Sequence, residues 1–499
     1  MSEHNFQDTI VAVSTPVGEG GIGIVRLSGK HALKISDEFF AAKDGKKPSS
    51  FRTYTTHYGC IIDRATAKKR TTHDGQRTTD NPEPLTSFGL RPASNGAGFG
   101  AGEIVDEVIL TVMKAPKSYT REDIVEINCH GGIHAVKKVL ELSLRCGARL
   151  AEPGEFTKRA FLNGRIDLAQ AEAVLDTIRA RTDSALKVAI HQLEGGLSEN
   201  VGAILEAVVD IASDIEASID FPDEDLEPDE RGMLVRKAKN VLGRLKSLID
   251  TYSGGMVFRE GVLAIICGKP NVGKSSLMNL LLKRDRVIVS PVPGTTRDTV
   301  EEMINLKGVP IRLVDTAGII DSEDAIEKEG VKRTKKYLEL ADLIIFMLDY
   351  STKISREDMD IIKLIENKKT LVVINKSDLP CKIDTGKLKM LFGDEKQIGI
   401  SVSKKRNIDR LEKAILRMVW SGKFTQGEAA IVSNARHKAL LDKTYGCMLS
   451  AGEALEKKTE PELVAIDLRE AVFNLGLIIG RSVSEDVLDR IFEKFCIGK

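Results

Sequence analysis

The period of the hydrophobic positions changes along the chain. Residues 8–28 (DTIVAVSTPVGEGGIGIVRLS) and 104–113 (IVDEVILTVM) are short β-branched apolar runs broken by Pro and Gly. That pattern predicts strands separated by turns, in an α+β domain. From Pro153 the spacing becomes helical, with Ala160, Phe161, Ile166, Leu168, Ala171, Val174, Leu175 and Ile178 recurring at steps of three and four, and helices are predicted to about residue 255. The acidic stretch from Asp220 to Glu230 reads as a solvated loop between two long helices. After Ser253-Gly254-Gly255 the apolar runs VLAIIC, IRLVDT, LIIFMLD and LVVIN alternate with helical segments. Fully apolar short strands between helices predict a doubly wound parallel sheet. This block ends near Gly422, and the helical period returns from Gly427. The expected order is therefore an α+β domain over 1–118, a helical part over 119–256, an α/β domain over 257–424 and a second helical part over 425–499. An α/β domain would be inserted into a discontinuous helical one. Residues 64–77 and 92–101 have few apolar positions and no period, so 64–101 is expected to be a loop insert.

Composition narrows the function classes. A chain of 499 residues fits several domains at roughly 100–200 residues each. Lys plus Arg and Asp plus Glu are both 73, so no global positive field holds a nucleic-acid backbone, and any RNA contact would need a local patch or a partner. The 7 cysteines are scattered and form no CxxC, which argues against a disulfide framework and fits a reducing cytoplasm. The opening MSEHNFQDTIVAVSTP has no basic region followed by an apolar core, and runs such as Leu340 to Leu348 fall short of the roughly 18 residues a membrane span needs. Neither an export signal nor a membrane contact is expected. Cys129, His130 and His134 lack a second Cys or an HExxH frame, so no zinc site is expected there.

The chemistry-bearing motifs follow the α/β block. Gly268 to Ser275 (GKPNVGKS) matches GxxxxGK[ST] between an apolar run and SLMNLLL, the strand, loop and helix this motif requires. Backbone N–H groups of Asn271, Val272 and Gly273 can approach phosphates, Lys274 can reach the terminal ones, Ser275 suits Mg²⁺, and the helix starting near Ser275 presents its positive end, with Ser276 also counted among the GTP-binding residues. Asp315-Thr316-Ala317-Gly318 closes a strand, placing Asp315 to support Mg²⁺ through water and the Gly318 N–H toward the γ-phosphate. Asn375-Lys376-Ser377-Asp378 follows another strand. Asp378 can accept from guanine N1–H and the exocyclic amine, a donor pair adenine lacks, so the nucleotide is expected to be GTP. Ser401-Val402-Ser403 would be the companion loop at the guanine oxygen. In the polar loop Ser290-Pro291-Val292-Pro293-Gly294-Thr295-Thr296, Thr296 can supply a second Mg²⁺ oxygen. Ile319 follows Gly318 and can orient no water, so the group that does so must come from elsewhere. Asp321, Glu323, Asp324, Glu327 and Glu329 are the acidic candidates, and the residues alone do not choose among them. Gly18 to Gly23 (GEGGIG) is formally GxGxxG, but the apolar IVRLSG after it predicts a strand, not the helix a dinucleotide site needs.

With DTIVAVSTPVGEGGIGIVRLSG, SYTREDIVEINCHGG, EPGEFTKRAFLNGRIDLAQAEAV and the final CIGK, these motifs make the chain resemble the MnmE (TrmE) family of tRNA-modifying GTPases over nearly its whole length. The resemblance implies a multidomain fold: an N-terminal α+β folate-binding and dimerising domain, a discontinuous α-helical domain and an inserted α/β P-loop GTPase domain. It implies activation when two G domains meet, with K⁺ held by Asn271, Ser290, Val292 and Thr295, and Glu327 as the catalytic acid that orients water indirectly. Ile320 stands where better-known members carry Arg. Arg26, Glu126, Arg165 and Lys499 match positions that hold a tetrahydrofolate derivative, 5-formyl or 5,10-methylene. Arginines and lysine suit its carboxylates, and Glu126 suits pterin N–H groups. Arg165 replaces Lys in some members. Cys496 reads equally as a packing residue or a participant in the modification chemistry. The expected function is that of a cytoplasmic, homodimeric, K⁺-stimulated GTPase. With an MnmG-type (GidA) flavoprotein, in a heterotetramer or larger complex, it would install an aminomethyl or carboxymethylaminomethyl group on tRNA wobble uridine. The alternative is an RNA-binding GTPase switch in ribosome assembly.

Overall fold

The computed structural model describes residues 7–64, 102–220, 228–285, 301–315, 337–419 and 431–499. These fall into two compact units, Met1–Glu172 with Val483–Lys499, and Ala173–Ser482.

The first unit is built on a seven-stranded sheet, and its strands are β1 (Thr9–Val13), β2 (Gly23–Gly29), β3 (Phe40–Ala42), β4 (Thr55–Asp63), β5 (Glu103–Met113), β6 (Ile124–Cys129) and β7 (Arg149–Leu150). Their order is β3-β4-β5-β6-β2-β1-β7, antiparallel except where β7 joins β1. Alternation puts Val25, Leu27, Leu110, Val112, Val125 and Ile127 on one face, where they are buried with α1 (Ala32–Asp37) and α2 (Ile133–Arg145). The sheet is one face of the core, and its other face carries Arg26 and Glu126. The strand β2 begins at Gly23, the last glycine of the GxGxxG string, so no helix opens there.

The expected boundary at residue 118 cuts through this sheet, because β6 sits between β5 and β2. IVEINC alternates with period two and belongs with the strands before it; the helical spacing that suggested a change of domain begins only later. A second difference concerns the end of the chain. The helix Glu485–Phe492 and the segment after it belong to the first unit, not to a second helical part. Phe492 and Phe495 are buried, Pro153 forms a bridge with Ile497, and a Cβ on Gly154 would meet the Phe492 carbonyl oxygen at 2.9 Å. A short helix α3 (Glu155–Leu162) follows that glycine.

After α4 (Leu168–Arg179), the second unit continues with α5 (Asp183–Leu193), α6 (Gly196–Asp220), α7 (Pro228–Asp250) and α8 (Tyr252–Glu260). The long helices α6 and α7 flank residues 221–227, which lie outside the described residues. Next comes a six-stranded sheet with β8 (Val262–Cys267), α9 (Lys274–Asp285), β9 (Glu301–Leu306), β10 (Val309–Asp315), β11 (Leu343–Asp349), α10 (Arg356–Ile365), β12 (Thr370–Asn375), α11 (Thr385–Phe392), β13 (Gln397–Gly399) and α12 (Ile408–Val419). The order is β13-β12-β11-β8-β10-β9, parallel except for the edge strand β9. Every residue of β8, β11 and β12 is buried, as strands covered on both faces require. The chain leaves β8 for β10 on one side and reaches β11 on the other, so the loop after β8 lies at the switch point where such sheets bind ligands. The unit closes with α13 (Ala435–Glu456) and α14 (Pro461–Ile479), which pack on each other; α14 also packs on α6 and α13 on α7. Gly254-Gly255, read in the sequence as a break, lies inside α8. A Cβ on Gly255 would meet the Val432 carbonyl oxygen at 2.2 Å, so the glycine permits close approach of the helix and the segment at Val432.

Candidate functional site

The nucleotide motifs converge on the carboxyl end of the parallel sheet. Gly268 leaves β8 with φ of +149°, and a Cβ there would meet the Met347 carbonyl oxygen at 2.4 Å. Gly273 has φ of +101°, and its Cβ would meet Asn375 Nδ2 at 2.5 Å. Both positions therefore need glycine. Lys274 Nζ donates to the carbonyls of Gly268 (2.9 Å) and Lys269 (3.1 Å), which curls the loop around its own lysine. At the start of α9, Ser275 Oγ donates to Asp315 Oδ2 across 2.7 Å. A hydroxyl and a carboxylate meeting at the helix N-terminus are hard oxygen donors of the kind Mg²⁺ takes, so these residues fit that ion.

Asn375 ties the phosphate loop to the base-recognition loops. Its Nδ2 donates to the Val272 carbonyl at 2.8 Å, and its Oδ1 accepts from the Val402 N–H at 3.1 Å. Lys376, at φ of +63°, donates through Nζ to the Asn271 carbonyl (3.0 Å) and to Asp349 Oδ2 (2.7 Å). Ser377 N–H donates to the Ile400 carbonyl at 3.0 Å, which fixes the backbone next to Asp378. A hydrogen bond from the Ser401 hydroxyl, with Asp378's own N–H, holds the Asp378 carboxyl below its ordinary range. The exposed side chain therefore stays an ionised acceptor, as a guanine edge with two donors requires. Ser401 and Ser403 hydroxyls lie 3.2 Å apart.

Two groups here were not singled out from the sequence. Asp349, at the end of β11, accepts from Lys376 and from Ser351; burial pushes its carboxyl up, and these hydrogen bonds outweigh burial and leave it low. An acidic residue ending an apolar strand at the sheet's ligand edge was the signal that could have found it. Lys269, inside the phosphate loop, pairs with buried Asp358 of α10 at 3.0 Å, an anchor that no local pattern reveals. Cys267 points into the core, and burial pushes its thiol up to about 12. Ser290, Pro291, Val292, Pro293, Gly294, Thr295, Thr296, Thr316, Ala317, Gly318, Ile320 and Glu327 lie outside the described residues.

A second cluster occupies the open face of the sheet in the first unit. Arg26 on β2 and Glu126 on β6 are cross-strand partners, and Nε donates to Oε1 at 2.7 Å. The Gly498 carbonyl accepts from Ser14 Oγ at 3.2 Å and from Arg26 at 3.4 Å, which brings the segment before Lys499 to these residues. Gly498 has φ of +92°, and its Cβ would meet the Val13 carbonyl oxygen at 2.4 Å. Arg165 lies over the ring of Tyr119. Cys496 is exposed, and its carbonyl accepts from Gly154 N–H at 3.4 Å. Cys129 is buried, and His130 is bound through Nδ1 to Asp106 at 2.6 Å.

Beside that cluster is a charge network not anticipated from the sequence. Arg159 is fully buried and donates to Asp8 Oδ1 (2.7 Å), Glu155 Oε1 (2.9 Å) and Glu122 Oε1 (3.1 Å). Arg149 binds Glu155 at 2.6 Å and Asp8 at 2.8 Å, and Ser28 Oγ donates to Glu122 Oε2 at 2.7 Å. The network fastens the residue ahead of β1, the loop ahead of β6 and α3 to one another.

Comparison with known proteins agrees with this layout. A family model of the GTP-binding protein TrmE N-terminus matches residues 9–165, and one of the MnmE helical domain matches residues 168–496. Proteins named tRNA modification GTPase MnmE from Alkaliphilus oremlandii and Geobacillus kaustophilus are 45% and 44% identical to the chain over 494 and 493 residues. Each alignment covers 99% of this chain, and 100% and 99% of the relatives, respectively. One from Carboxydothermus hydrogenoformans is 44% identical over 495 residues, with 99% and 100% covered. On these matches, and on a phosphate loop, a guanine-type loop and an N-terminal sheet laid out in the same chain, the protein belongs to the MnmE (TrmE) family.

Proposed function

We propose that the protein is a K⁺-stimulated GTP hydrolase that, with a flavoprotein partner of the MnmG type, modifies tRNA wobble uridine using a tetrahydrofolate one-carbon unit. Its family membership supports GTP hydrolysis in tRNA modification. The observation that carries the guanine reading is Asn375, which hydrogen-bonds both the phosphate loop and the Val402 loop. Through it, the loops that carry Asp378 and Lys274 are tied to each other, which supports one nucleotide meeting base and phosphate partners together.

Within this reading Ser275, Thr296 and, through water, Asp315 hold Mg²⁺. Asn271, Ser290, Val292 and Thr295 hold K⁺ when two G domains of a homodimer meet. These cations balance negative charge on the transferred phosphoryl group. Glu327 positions the attacking water indirectly. In the first unit Arg26, Glu126, Arg165 and Lys499 hold the folate derivative, and Cys496 is a candidate for the modification chemistry. The Arg26–Glu126 ion pair with the Gly498 carbonyl beside it supports that assignment. Hydrolysis shifts the population of open and closed G domains and does no chemistry on the base.

Two measurements test the proposal. GTP turnover by the full-length protein should be faster in KCl than in NaCl, and equal rates would remove K⁺ from the mechanism. Mass analysis of tRNA from cells lacking the protein should show wobble uridines without the aminomethyl-type group. Unaltered uridines would favour the ribosome-assembly reading.

A further inference from the structure

The N-terminal site contains an aromatic floor beneath its arginines. The Arg26 guanidinium lies over the Phe156 ring, 5.7 Å from carbon to centroid, and the Arg165 guanidinium lies over the Tyr119 ring at 4.7 Å. Phe156 is fully buried, and Tyr119 packs against the same small core. The two rings thus belong to one surface.

Each part of the Tyr119–Arg165 pair is held independently. Arg165 follows α3 through a left-handed Gly164 (φ of +68°), with Gly164 N–H donating to Phe161 and Arg165 N–H to Ala160, both at 2.9 Å. This helix-end motif fixes the arginine's backbone. Its side chain is different: among the described residues Arg165 makes no ion pair, and Tyr119 is what it rests on. Tyr119 in turn has its hydroxyl 3.0 Å from Oγ1 of the fully buried Thr157. The loop around it is tied down by Ser118 Oγ donating to the Glu122 carbonyl at 2.5 Å, and by the buried Ser28–Thr120 hydroxyl pair at 2.7 Å. Burial pushes the Tyr119 phenol up, so the ring stays neutral at physiological pH.

We propose that Tyr119 is a positioning residue of the one-carbon donor site, a rigid ring that orients the Arg165 guanidinium toward an anionic ligand such as the carboxylate-bearing tail of a folate. A guanidinium resting over an aromatic face still has N–H groups to offer a carboxylate, and the contact removes rotamers that binding would otherwise have to freeze. This inference rests on the folate reading of Arg26, Glu126, Arg165 and Lys499.

The test is titration of full-length protein with 5-formyltetrahydrofolate, using Tyr119→Leu, Tyr119→Phe, Arg165→Ala and the double variant Tyr119→Leu/Arg165→Ala. Tyr119→Leu should weaken binding by roughly five- to thirtyfold, the range of a partly desolvated cation–π contact. Tyr119→Phe, which keeps the ring, should restore most of that loss. In the Arg165→Ala background, Tyr119→Leu should cost less than about twofold, because its effect runs through the arginine. Additive losses in the double variant, or unchanged affinity in Tyr119→Leu when the unaltered protein binds, would overturn the role of Tyr119 and leave the folate site standing. If the unaltered protein itself does not bind the folate, the donor reading falls, and this inference with it.

Discussion

Replacing Arg159 by Met tests whether its buried charge network holds the first unit together. The side chain is fully buried and meets Asp8, Glu155 and Glu122 within 3.1 Å. Methionine fills similar volume but supplies no charge, so the partners lose a guanidinium while staying where they are. Breaking a buried ion pair from one side costs about 3–5 kcal/mol. The lower end applies here, because Arg149 still reaches Asp8 and Glu155. At about 1.4 kcal/mol per tenfold, a loss of about 3 kcal/mol raises opening of the strand Thr9–Val13 by roughly 150-fold. Hydrogen exchange of that strand in the full-length protein reads this directly. The effect also has a pH signature. Burial pushes the Asp8 and Glu155 carboxyls up, but their arginine partners outweigh it and leave both below the ordinary value. Groups with lowered folded pKa stabilise at neutral pH, and that contribution is lost as pH falls below about 4 through the folded value. In Arg159→Met the burial remains and one guanidinium is gone, so both carboxyls rise and acidification relieves the variant. The difference in protection between variant and parent should therefore shrink as the pH falls from 7.5 toward about 4. A change below about fivefold at pH 7.5, or a gap that does not depend on pH, would refute this account.

Three further outcomes follow from the nucleotide site. Asp378→Asn should weaken GTP binding by about 1.5–3 kcal/mol, the contribution of hydrogen bonds to a charged group, and improve binding of XTP, whose C2 carbonyl can accept from the new amide; competitive titration that finds GTP still preferred would reject Asp378 as the base reader. Gly273→Ala adds a Cβ that would sit 2.5 Å from Asn375 Nδ2, at a backbone angle alanine avoids; nucleotide affinity should fall at least about tenfold from strain on the order of 1–3 kcal/mol, while circular dichroism of the helices stays the same. Glu327→Ala should lower kcat by about 10²–10⁴-fold, as loss of a group acting on the attacking water does, with GTP affinity nearly intact, and single-turnover rates equal to the parent would reassign the catalytic acid.

How much was legible in the sequence depended on how local the constraint is. The phosphate loop could be read because its constraints show in the residue types themselves: Gly268 and Gly273 turn at positive φ, and Lys274 folds back on Gly268 and Lys269. The parallel sheet was legible too, since strands covered on both faces must be continuously apolar. Pairings between distant segments were not. Lys269 and Asp358 are separated by 89 positions, and each alone reads as a solvated charge. Gly255 looked like a break because a glycine chosen for close packing and one chosen for a turn are the same letter.

Arg159 marks the limit of periodicity as evidence. It stands among helically spaced residues, two positions from Phe161, where a charged side chain is ordinarily assigned to the solvent face. Its burial comes with carboxylates on two other stretches of chain, at positions 8 and 122, and with one a turn back on its own helix, at position 155. A hydrophobic pattern reports only whether a residue prefers to leave water by itself. It is silent where several charges leave water together, because there the gain belongs to the set and no member shows it alone. The same reasoning separates the two sites. The nucleotide site is read mainly through backbone shape, which single residues dictate, whereas the N-terminal candidate site is read through contacts between segments distant in sequence, such as the Arg26–Glu126 pair and the Arg26 hydrogen bond to the Gly498 carbonyl. Only when the sheet brings β2, β6 and the segment before Lys499 to one face do those residues become a site.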